Sequence, residues 1–334
     1  MVIGSWIRPL PLNNEKLSYM IRLLGAFFRL IRWPNLVFIA LTQGLFYYCI
    51  MLPDFRSGDI SYVIVLQPRW FYLLSVSSVL IAAAGYIIND YFDLNIDRVN
   101  KPDRLVVDRI IKRRWTILWH WILSGLGVAI GAYVSLKTRN PFAGLGNLGC
   151  VILLWFYSTT FKRRILIGNV IISILTAWVI LVLYMAEFRL AVFRDPVVHG
   201  LLSRLFKFAI LYGGFAFIIS LIREVIKDIE DLPGDERYGC RTMPIVWGVN
   251  AAKVFAATWL VVLIGSLAVI QFYVLQNGWW IILPYCAVLI IAPLIWILRG
   301  LYRATTAADY HLLSTYIKGV MLAGILSMIF IKIV

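Results

Sequence analysis

Acidic residues are scarce in this chain, and charge of either sign is uncommon for a protein of its length. The 334 residues contain 17 Asp and Glu against 32 Lys and Arg, and charged residues make up only 15% of the total. Hydrophobic residues make up 61%, and the mean hydropathy is +0.84. This composition excludes a water-soluble domain and places the chain in a bilayer.

Cysteine is also sparse. The four cysteines, Cys49, Cys150, Cys240 and Cys286, form no CxxC pair, and three of them lie within or beside apolar stretches. Neither a disulfide framework nor a thiolate metal site is therefore predicted. The net charge of +15 is not gathered in a soluble basic domain with interleaved aromatic residues, so binding to nucleic acid is not predicted either.

Apolar windows of about 20 residues, the length of helix that crosses a hydrocarbon core of about 30 Å, recur along the chain. They predict an all-α integral membrane protein with nine transmembrane helices in a single domain over residues 1–334. Gly144, Gly146 and Gly149 are expected to delay the start of the fourth span, and residues 53–69 are interpreted as an external loop. The predicted spans are 33–52, 70–90, 115–136, 146–160, 166–187, 205–226, 251–275, 279–298 and 314–333.

Basic residues predict the orientation of these spans. Most of the 32 lysines and arginines fall in the N-terminal segment and in the loops after spans two, four, six and eight. Because such residues are enriched on the cytoplasmic side, we expect a multi-pass protein of the cell membrane with a cytoplasmic N-terminus. The loops after spans two and six are then cytoplasmic too, while Glu187 is interpreted as a charge at the opposite interface.

Six of the few aspartates gather in two short stretches, at the ends of predicted spans two and six. The stretches are Asn89-Asp90-x-x-Asp93-x-x-x-Asp97 and Asp228-x-x-Asp231-x-x-x-Asp235. Carboxylates this close together repel one another unless cations lie between them. Hard oxygen ligands on two separate elements, with basic residues close behind each, favour Mg²⁺ bridged to a polyphosphate.

The first stretch has helical spacing. Asn89, Asp93 and Asp97 recur every four residues, so a continuous helix would place them on one face with Cβ atoms about 5–6 Å apart. Asp90 lies beside this stripe, where it can act as a further ligand or hold the ligands of the stripe in place.

The second stretch is interrupted. Asp228 and Asp231 have helical spacing, but Pro233-Gly234 breaks the helix, so we expect Asp235 to be presented from the following turn. Nearby basic residues that could neutralise phosphate oxygens are Arg223, Lys227, Arg237 and Arg241.

The order of these stretches and their flanking residues resemble a known family, the UbiA superfamily of intramembrane prenyltransferases. The matching strings are Asn89-Asp-Tyr-Phe-Asp-Leu-Asn-Ile-Asp97, Arg98-Val-Asn-Lys-Pro-Asp-Arg104, Arg223-Glu-Val-Ile-Lys-Asp-Ile-Glu-Asp-Leu-Pro-Gly-Asp235 and Thr242-Met-Pro-Ile-Val-Trp-Gly248. The resemblance implies nine helices around a central cavity, with Mg²⁺ ions that hold a prenyl diphosphate between the two aspartate stretches.

The resemblance also implies roles for individual residues. The metal-binding residues would be Asn89, Asp93, Asp97, Asp228, Asp231 and Asp235. Candidates for binding the diphosphate are Arg98, Arg104, Lys162, Arg223 and Lys227. Candidates for the acceptor pocket are Arg32, Asn35 and Tyr157. Asp90 and Asp93 are the candidates for the catalytic step, in which Asp90 could take the proton of the acceptor, although metal binding is the role that suits it better.

The form of the second stretch is similar to the branch that includes the digeranylgeranylglyceryl phosphate synthases. It implies Mg²⁺-dependent transfer of a prenyl group from a polyprenyl diphosphate to a lipophilic acceptor, an ether lipid like geranylgeranylglyceryl phosphate. An aromatic quinone precursor is the alternative acceptor. Two other classes are an ion-coupled transporter and a non-catalytic lipid-binding scaffold. A transporter more often has broken helices and acidic residues near the membrane midplane, whereas here both stretches lie at one face.

Overall fold

The computed structural model describes residues 12–56, 64–189, 195–276 and 280–333, and the elements named in these ranges are all helices. Nine of the described helices are long and apolar enough to cross a membrane, which confirms the predicted all-α fold. In chain order the helices that build the fold are α1 Leu12–Leu30, α2 Trp33–Phe55, α3 Pro68–Asn100, α4 Arg113–Thr138, α5 Pro141–Thr159, α6 Ile167–Glu187, α7 Pro196–Glu230, the short α8 Leu232–Arg237, α9 Val249–Gln276, α10 Ile282–Arg303 and α11 Ala307–Ile331.

Several helices extend beyond the predicted windows. Helix α3 continues past residue 90 to Asn100, so the first aspartate stretch is helical throughout. The predicted loop over 53–69 is wrong in its first part, because α2 continues through Phe55. The connection is irregular at 64–67, and residues 57–63 lie outside the described residues.

The three glycines of the fourth span do not delay its helix, which corrects the prediction. Helix α5 begins before them, at Pro141. A Cβ atom on Gly146 would lie 1.9 Å from the ring of Trp178 on α6, and one on Gly144 would lie 2.6 Å from Ser135 Oγ on α4. Gly144 and Gly146 therefore allow close helix packing, which small residues commonly provide in membrane proteins.

Glu187 is also placed differently from its interpretation as an interface charge. The side chain at the end of α6 is 0% exposed. Its carboxylate accepts hydrogen bonds from the backbone nitrogens of Val65 at 3.0 Å and Leu66 at 2.8 Å. Since these donors would otherwise be unsatisfied where the chain enters α3, Glu187 fixes the connection between α2 and α3.

Helix α1 precedes the first span and was not recognised as an element from the sequence. One side of it exposes an apolar stripe with helical spacing, formed by Leu17, Met20, Ile21, Leu24 and Phe28. This pattern is typical of a helix that lies along a membrane surface. The chain then turns at Arg32, which has left-handed backbone angles (φ 50°, ψ 53°), and enters α2.

A cavity of about 700 Å³ lies at the centre of the helices. Its walls come from α2, α3, α5, α6, α7 and α11, while α9 and α10 pack outside α7 and α11. Both aspartate stretches line the cavity, together with many apolar side chains. The central cavity implied by the family resemblance is therefore present, and it brings the ends of α3 and α7 to one site.

Candidate active site

The first aspartate stretch forms a continuous polar stripe on the cavity side of α3. Asn89, Asp90, Asp93 and Asp97 all line the cavity, as the helical spacing predicted. Asn89 Nδ2 donates a hydrogen bond to Asp93 Oδ2 at 2.6 Å. Asp93 is only 4% exposed, so its charge must be compensated by groups of the site itself.

The second stretch is divided between two helices. Helix α7 ends at Glu230, and Asp231 precedes α8, which carries Pro233 in its first turn. The predicted helix break is confirmed, but Asp235 is presented from this short helix and not from a turn. Because α8 folds back against the end of α3, Asp235 is 6% exposed and lines the same cavity as the first stretch.

Asn100 joins the two stretches directly. From the last position of α3, its Nδ2 donates to the backbone oxygen of Asp231 at 2.9 Å, and its Oδ1 accepts from the backbone nitrogen of Gly234 at 2.8 Å. A Cβ atom on Gly234 would lie 2.5 Å from the Asn100 side chain, so only glycine fits this approach. Sequence reasoning missed this role, although a short amide side chain at a helix end is a residue suited to bind backbone groups.

The protein supplies its own cations to the aspartates. Lys162 Nζ is hydrogen-bonded to Asp93 Oδ2. Lys101 Nζ lies 2.8 Å from the carboxylate of Asp231. Repulsion between the two stretches is therefore already reduced by side chains on the loops that follow α3 and α5.

Two further aspartates have different partners. Arg32 donates to Asp90 Oδ1 at 2.7 Å, and its guanidinium lies 5.1 Å from the centre of the Tyr86 ring. Asn169 Nδ2 donates to Asp228 Oδ2 at 2.8 Å. Lys101 and Asn169 were not among the predicted site residues, because nothing in their local sequence shows which carboxylate they contact.

The electrostatic environment at Asp235 and Lys162, which lie outside the membrane spans, suits an anionic ligand. The pKa of Asp235 is raised to about 6, mainly by burial and also by the charges of Asp231 and Asp93, against the opposing effect of Lys162. Burial alone would lower the pKa of Lys162, but Asp93 raises it well above its usual range. Lys162 therefore keeps its charge, and additional positive charge in the site would favour the ionised form of Asp235.

The oxygen atoms of the site fit a hard divalent cation. In the described part of the chain, no group of three or more His, Cys, Asp or Glu side chains is assembled that could hold a metal ion by itself. However, Asn89 Oδ1 is buried beside Asp93 without a hydrogen-bond partner. Mg²⁺ in proteins is commonly held by one or two carboxylates together with phosphate oxygens of a substrate, and this donor set matches that pattern.

The other predicted diphosphate residues divide into three groups. Arg98 is not among the residues that line the cavity, and its side chain, 53% exposed, pairs with Asp108 at 3.3 Å, so its role in binding the diphosphate stays a prediction. The side chain of Arg104 lies outside the described residues. Arg223 and Lys227 line the cavity and share the carboxylate of Glu224, at 2.8 Å and 3.4 Å.

The predicted acceptor residues, Arg32, Asn35 and Tyr157, all line the cavity. The cavity residues that were not predicted include Glu224, although it lies inside the second matching string, and Lys318, which lies in the apolar span α11. A lysine within a predicted membrane span was the signal that should have indicated Lys318, because such residues usually face a polar cavity.

Comparison with known proteins gives the same fold and the same family. A solved structure concerned with digeranylgeranylglyceryl phosphate synthase in membranes superposes with a TM-score of 0.59 at 24% identity, over 92% of this chain and 99% of the other. A UbiA homologue from Archaeoglobus fulgidus, bound to DMAPP and Mg²⁺, superposes with a TM-score of 0.53 at 16% identity, over 89% of this chain and 98% of the other. At these identities the two structures show the fold.

The sequence comparisons are more specific. A digeranylgeranylglyceryl phosphate synthase from Methanothermobacter thermautotrophicus is 33% identical over 242 residues, which are 71% of this chain and 78% of that relative. The family model described as the UbiA prenyltransferase family matches residues 60–320. With nine membrane-length helices in its described ranges and this match over most of its length, the chain belongs to the UbiA prenyltransferase family.

Proposed function

We propose that this protein transfers a prenyl group from a polyprenyl diphosphate to an ether lipid like geranylgeranylglyceryl phosphate, in a reaction that requires Mg²⁺. The observation that carries the proposal is the meeting of two aspartate stretches and their cations in one largely apolar cavity. The similarity to a digeranylgeranylglyceryl phosphate synthase supports the acceptor class. The homologue bound to DMAPP and Mg²⁺ supports the donor class and the metal.

The two aspartate stretches provide the proposed metal site. The residues that would hold Mg²⁺ are Asn89, Asp93, Asp97, Asp228, Asp231 and Asp235. Bound there, Mg²⁺ would supply positive charge that stabilises the departing diphosphate. Lys162 and Lys101 now neutralise Asp93 and Asp231, and we propose that their ammonium groups donate to phosphate oxygens when the donor binds. Arg223 and Lys227 add positive charge from α7.

The cavity walls provide the environment for bond cleavage. The carbon–oxygen bond to the diphosphate breaks with its electron pair on oxygen, and the allylic carbon becomes electron-deficient. Apolar walls exclude water from this carbon, while aromatic side chains such as Tyr157, Trp178 and Phe215 present π faces that favour positive charge. The acceptor hydroxyl then bonds to the allylic carbon and loses its proton.

Asp90 is the proposed recipient of this proton. It lines the cavity beside the proposed metal ligands. Its ion-pair partner is Arg32, whereas Asp93 and Asp231 pair with the lysines that are proposed to bind the diphosphate. The hydrogen bond from Arg32 orients the carboxylate, which a proton acceptor requires. Asp93 takes part in the catalytic step through the proposed metal site and its contact with Lys162.

We further propose one domain over residues 1–334, in the cell membrane, with the active-site loops and the N-terminus in the cytoplasm. The cavity walls come from helices at both ends of the described chain, from α2 to α11, so no smaller unit contains the site. The concentration of basic residues on the side of the aspartate stretches supports the cytoplasmic orientation.

The function is tested with purified protein and a small set of substrates. With geranylgeranyl diphosphate as donor, we expect transfer to geranylgeranylglyceryl phosphate and none to an aromatic acid such as 4-hydroxybenzoate. Transfer should stop in excess chelator and return with added Mg²⁺, because the clustered carboxylates need a cation to hold the diphosphate. Preference for the aromatic acid would overturn the proposed acceptor, and full activity in chelator would overturn the metal dependence.

The metal site is tested by Asp93→Ala and Asp235→Ala. Each change should lower the rate by about 100-fold or more, because several kcal/mol of stabilisation of the departing group would be lost. Glu236→Ala is the matched control, since Glu236 is an exposed carboxylate next to Asp235. Thermal unfolding in detergent checks that the variants are folded. A folded variant with unchanged turnover would remove that aspartate from the site.

The link between the two stretches is tested by Asn100→Ala. The change removes both hydrogen bonds to α8, so we expect the rate to fall by about 10–100-fold, as when a group that orients metal ligands is lost. The Mg²⁺ concentration needed for half-maximal rate should rise at the same time. Asn95→Ala, at an exposed position of the same helix, should change neither quantity. A wild-type Mg²⁺ requirement in Asn100→Ala would contradict this role.

The orientation is tested with single cysteines introduced at Asp103, Glu236 and Arg139. The four native cysteines are buried, so they should give little background labelling. In intact cells an impermeant maleimide should label position 139, beyond the far end of α4, and should reach positions 103 and 236 only after permeabilisation. Labelling of 103 and 236 in intact cells would reverse the proposed orientation.

A further inference from the structure

The cavity contains a second group of cations, separate from the lysines that contact the aspartates. Arg223 and Lys227 lie one turn apart on the cavity side of α7. Lys318 lies on the cavity side of α11, which packs against α7. The ammonium of Lys318 is within electrostatic range of both residues, and we call these three side chains the cationic wall.

The position of Lys318 is fixed by contacts between the two helices. His311, two turns earlier on the same side of α11, has its Nδ1 2.8 Å from Glu230 Oε1 at the end of α7. Ser314 and Met321 also line the cavity at helical spacing on either side of Lys318. The lysine is therefore held at the cavity surface by the packing of α11 and not by a flexible loop.

The charges of the cationic wall are not balanced by the protein. Arg223 and Lys227 share one carboxylate, that of Glu224. Lys318 makes no hydrogen bond or ion pair with a side chain in the described ranges. Three cations share one directly paired carboxylate, so positive charge is in excess on this wall inside the membrane-spanning helices, although Asp228 also lies within electrostatic range of Lys227. Such charges are costly without an anionic partner, so the cavity is built to receive one here.

We propose that the cationic wall binds the phosphate of the acceptor lipid and that Lys318 is the residue that selects a phosphorylated acceptor. This inference rests on the proposed function and identifies the acceptor subsite within it. A phosphate monoester carries a charge of about −1.5 to −2 at neutral pH, which matches the unbalanced charge of the wall. An acceptor without phosphate would leave Lys318 without an anion.

The cationic wall also adjoins the proposed proton acceptor. Arg32, which holds Asp90, is within electrostatic range of Lys318. A glycerol phosphate has its phosphate and its hydroxyl groups only a few bonds apart, so a phosphate on the wall keeps an acceptor hydroxyl in the part of the cavity that Asp90 lines. Arg223 and Lys227 are thereby reassigned from the donor diphosphate to the acceptor phosphate, and the diphosphate is left to Lys162, Lys101 and the aspartate stretches. Lys318 is therefore a specificity-determining residue and takes no part in bond cleavage.

The test compares two acceptors that differ only in the phosphate, geranylgeranylglyceryl phosphate and geranylgeranylglycerol, in wild type, Lys318→Gln and Lys318→Arg. In Lys318→Gln we expect the KM for the phosphorylated acceptor to rise about tenfold or more, because a hydrogen bond between charged groups is lost. The KM for geranylgeranyl diphosphate and for the unphosphorylated acceptor should change less than about twofold. Lys318→Arg, which keeps the charge, should restore most of the preference for the phosphorylated acceptor.

Lys207→Gln is the matched control, because Lys207 is an exposed lysine near the start of α7 and does not line the cavity. Thermal unfolding checks each variant, and Lys318→Met gives a second neutral variant. If the KM for the phosphorylated acceptor is unchanged in a folded neutral variant, only the role of Lys318 is overturned. A raised KM for the donor instead assigns the wall to the diphosphate and overturns the inference. A wild-type enzyme that does not use geranylgeranylglyceryl phosphate overturns the proposed function itself, and this subsite with it.

Discussion

The compensation of buried negative charge is the constraint on which the site depends. Aspartates at the ends of α3 and α7 face one cavity, and two of them, Asp93 and Asp235, are almost fully buried. Charges in such a place persist only with cations and hydrogen-bond donors around them. This requirement accounts for the lysines on the connecting loops and for the approach of α8 to α3.

The same constraint gives the cavity two regions with different chemistry. On one side, Lys101 and Lys162 are neutralised by aspartates, so a ligand there must exchange with existing ion pairs. On the other side, positive charge exceeds negative charge around Glu224 and Lys318. The proposed reaction between two anionic lipids would benefit from this division, because each phosphate group would have its own binding region and repulsion between the substrates would be reduced.

The sequence predicted the nine spans, the helical first stretch and the break at Pro233, because these depend on apolar periodicity and on local backbone chemistry. It did not predict the partners of Asn100, Lys101 and Asn169, which lie 131, 130 and 59 residues away along the chain. The effect of Gly146 was misjudged for the same reason. Whether a glycine interrupts a helix or admits a neighbour depends on the opposing side chain, here Trp178, and that side chain is known only from the fold.

The turn at Arg32 connects a surface helix to the candidate site. Its backbone forms the corner between α1, with an apolar stripe suited to the membrane surface, and the first span, while its guanidinium holds Asp90. A change in the tilt of α1 therefore acts at the residue that orients this carboxylate. The depth of a surface helix depends on lipid composition and bilayer curvature, and here such a helix is joined to the candidate site through a single residue.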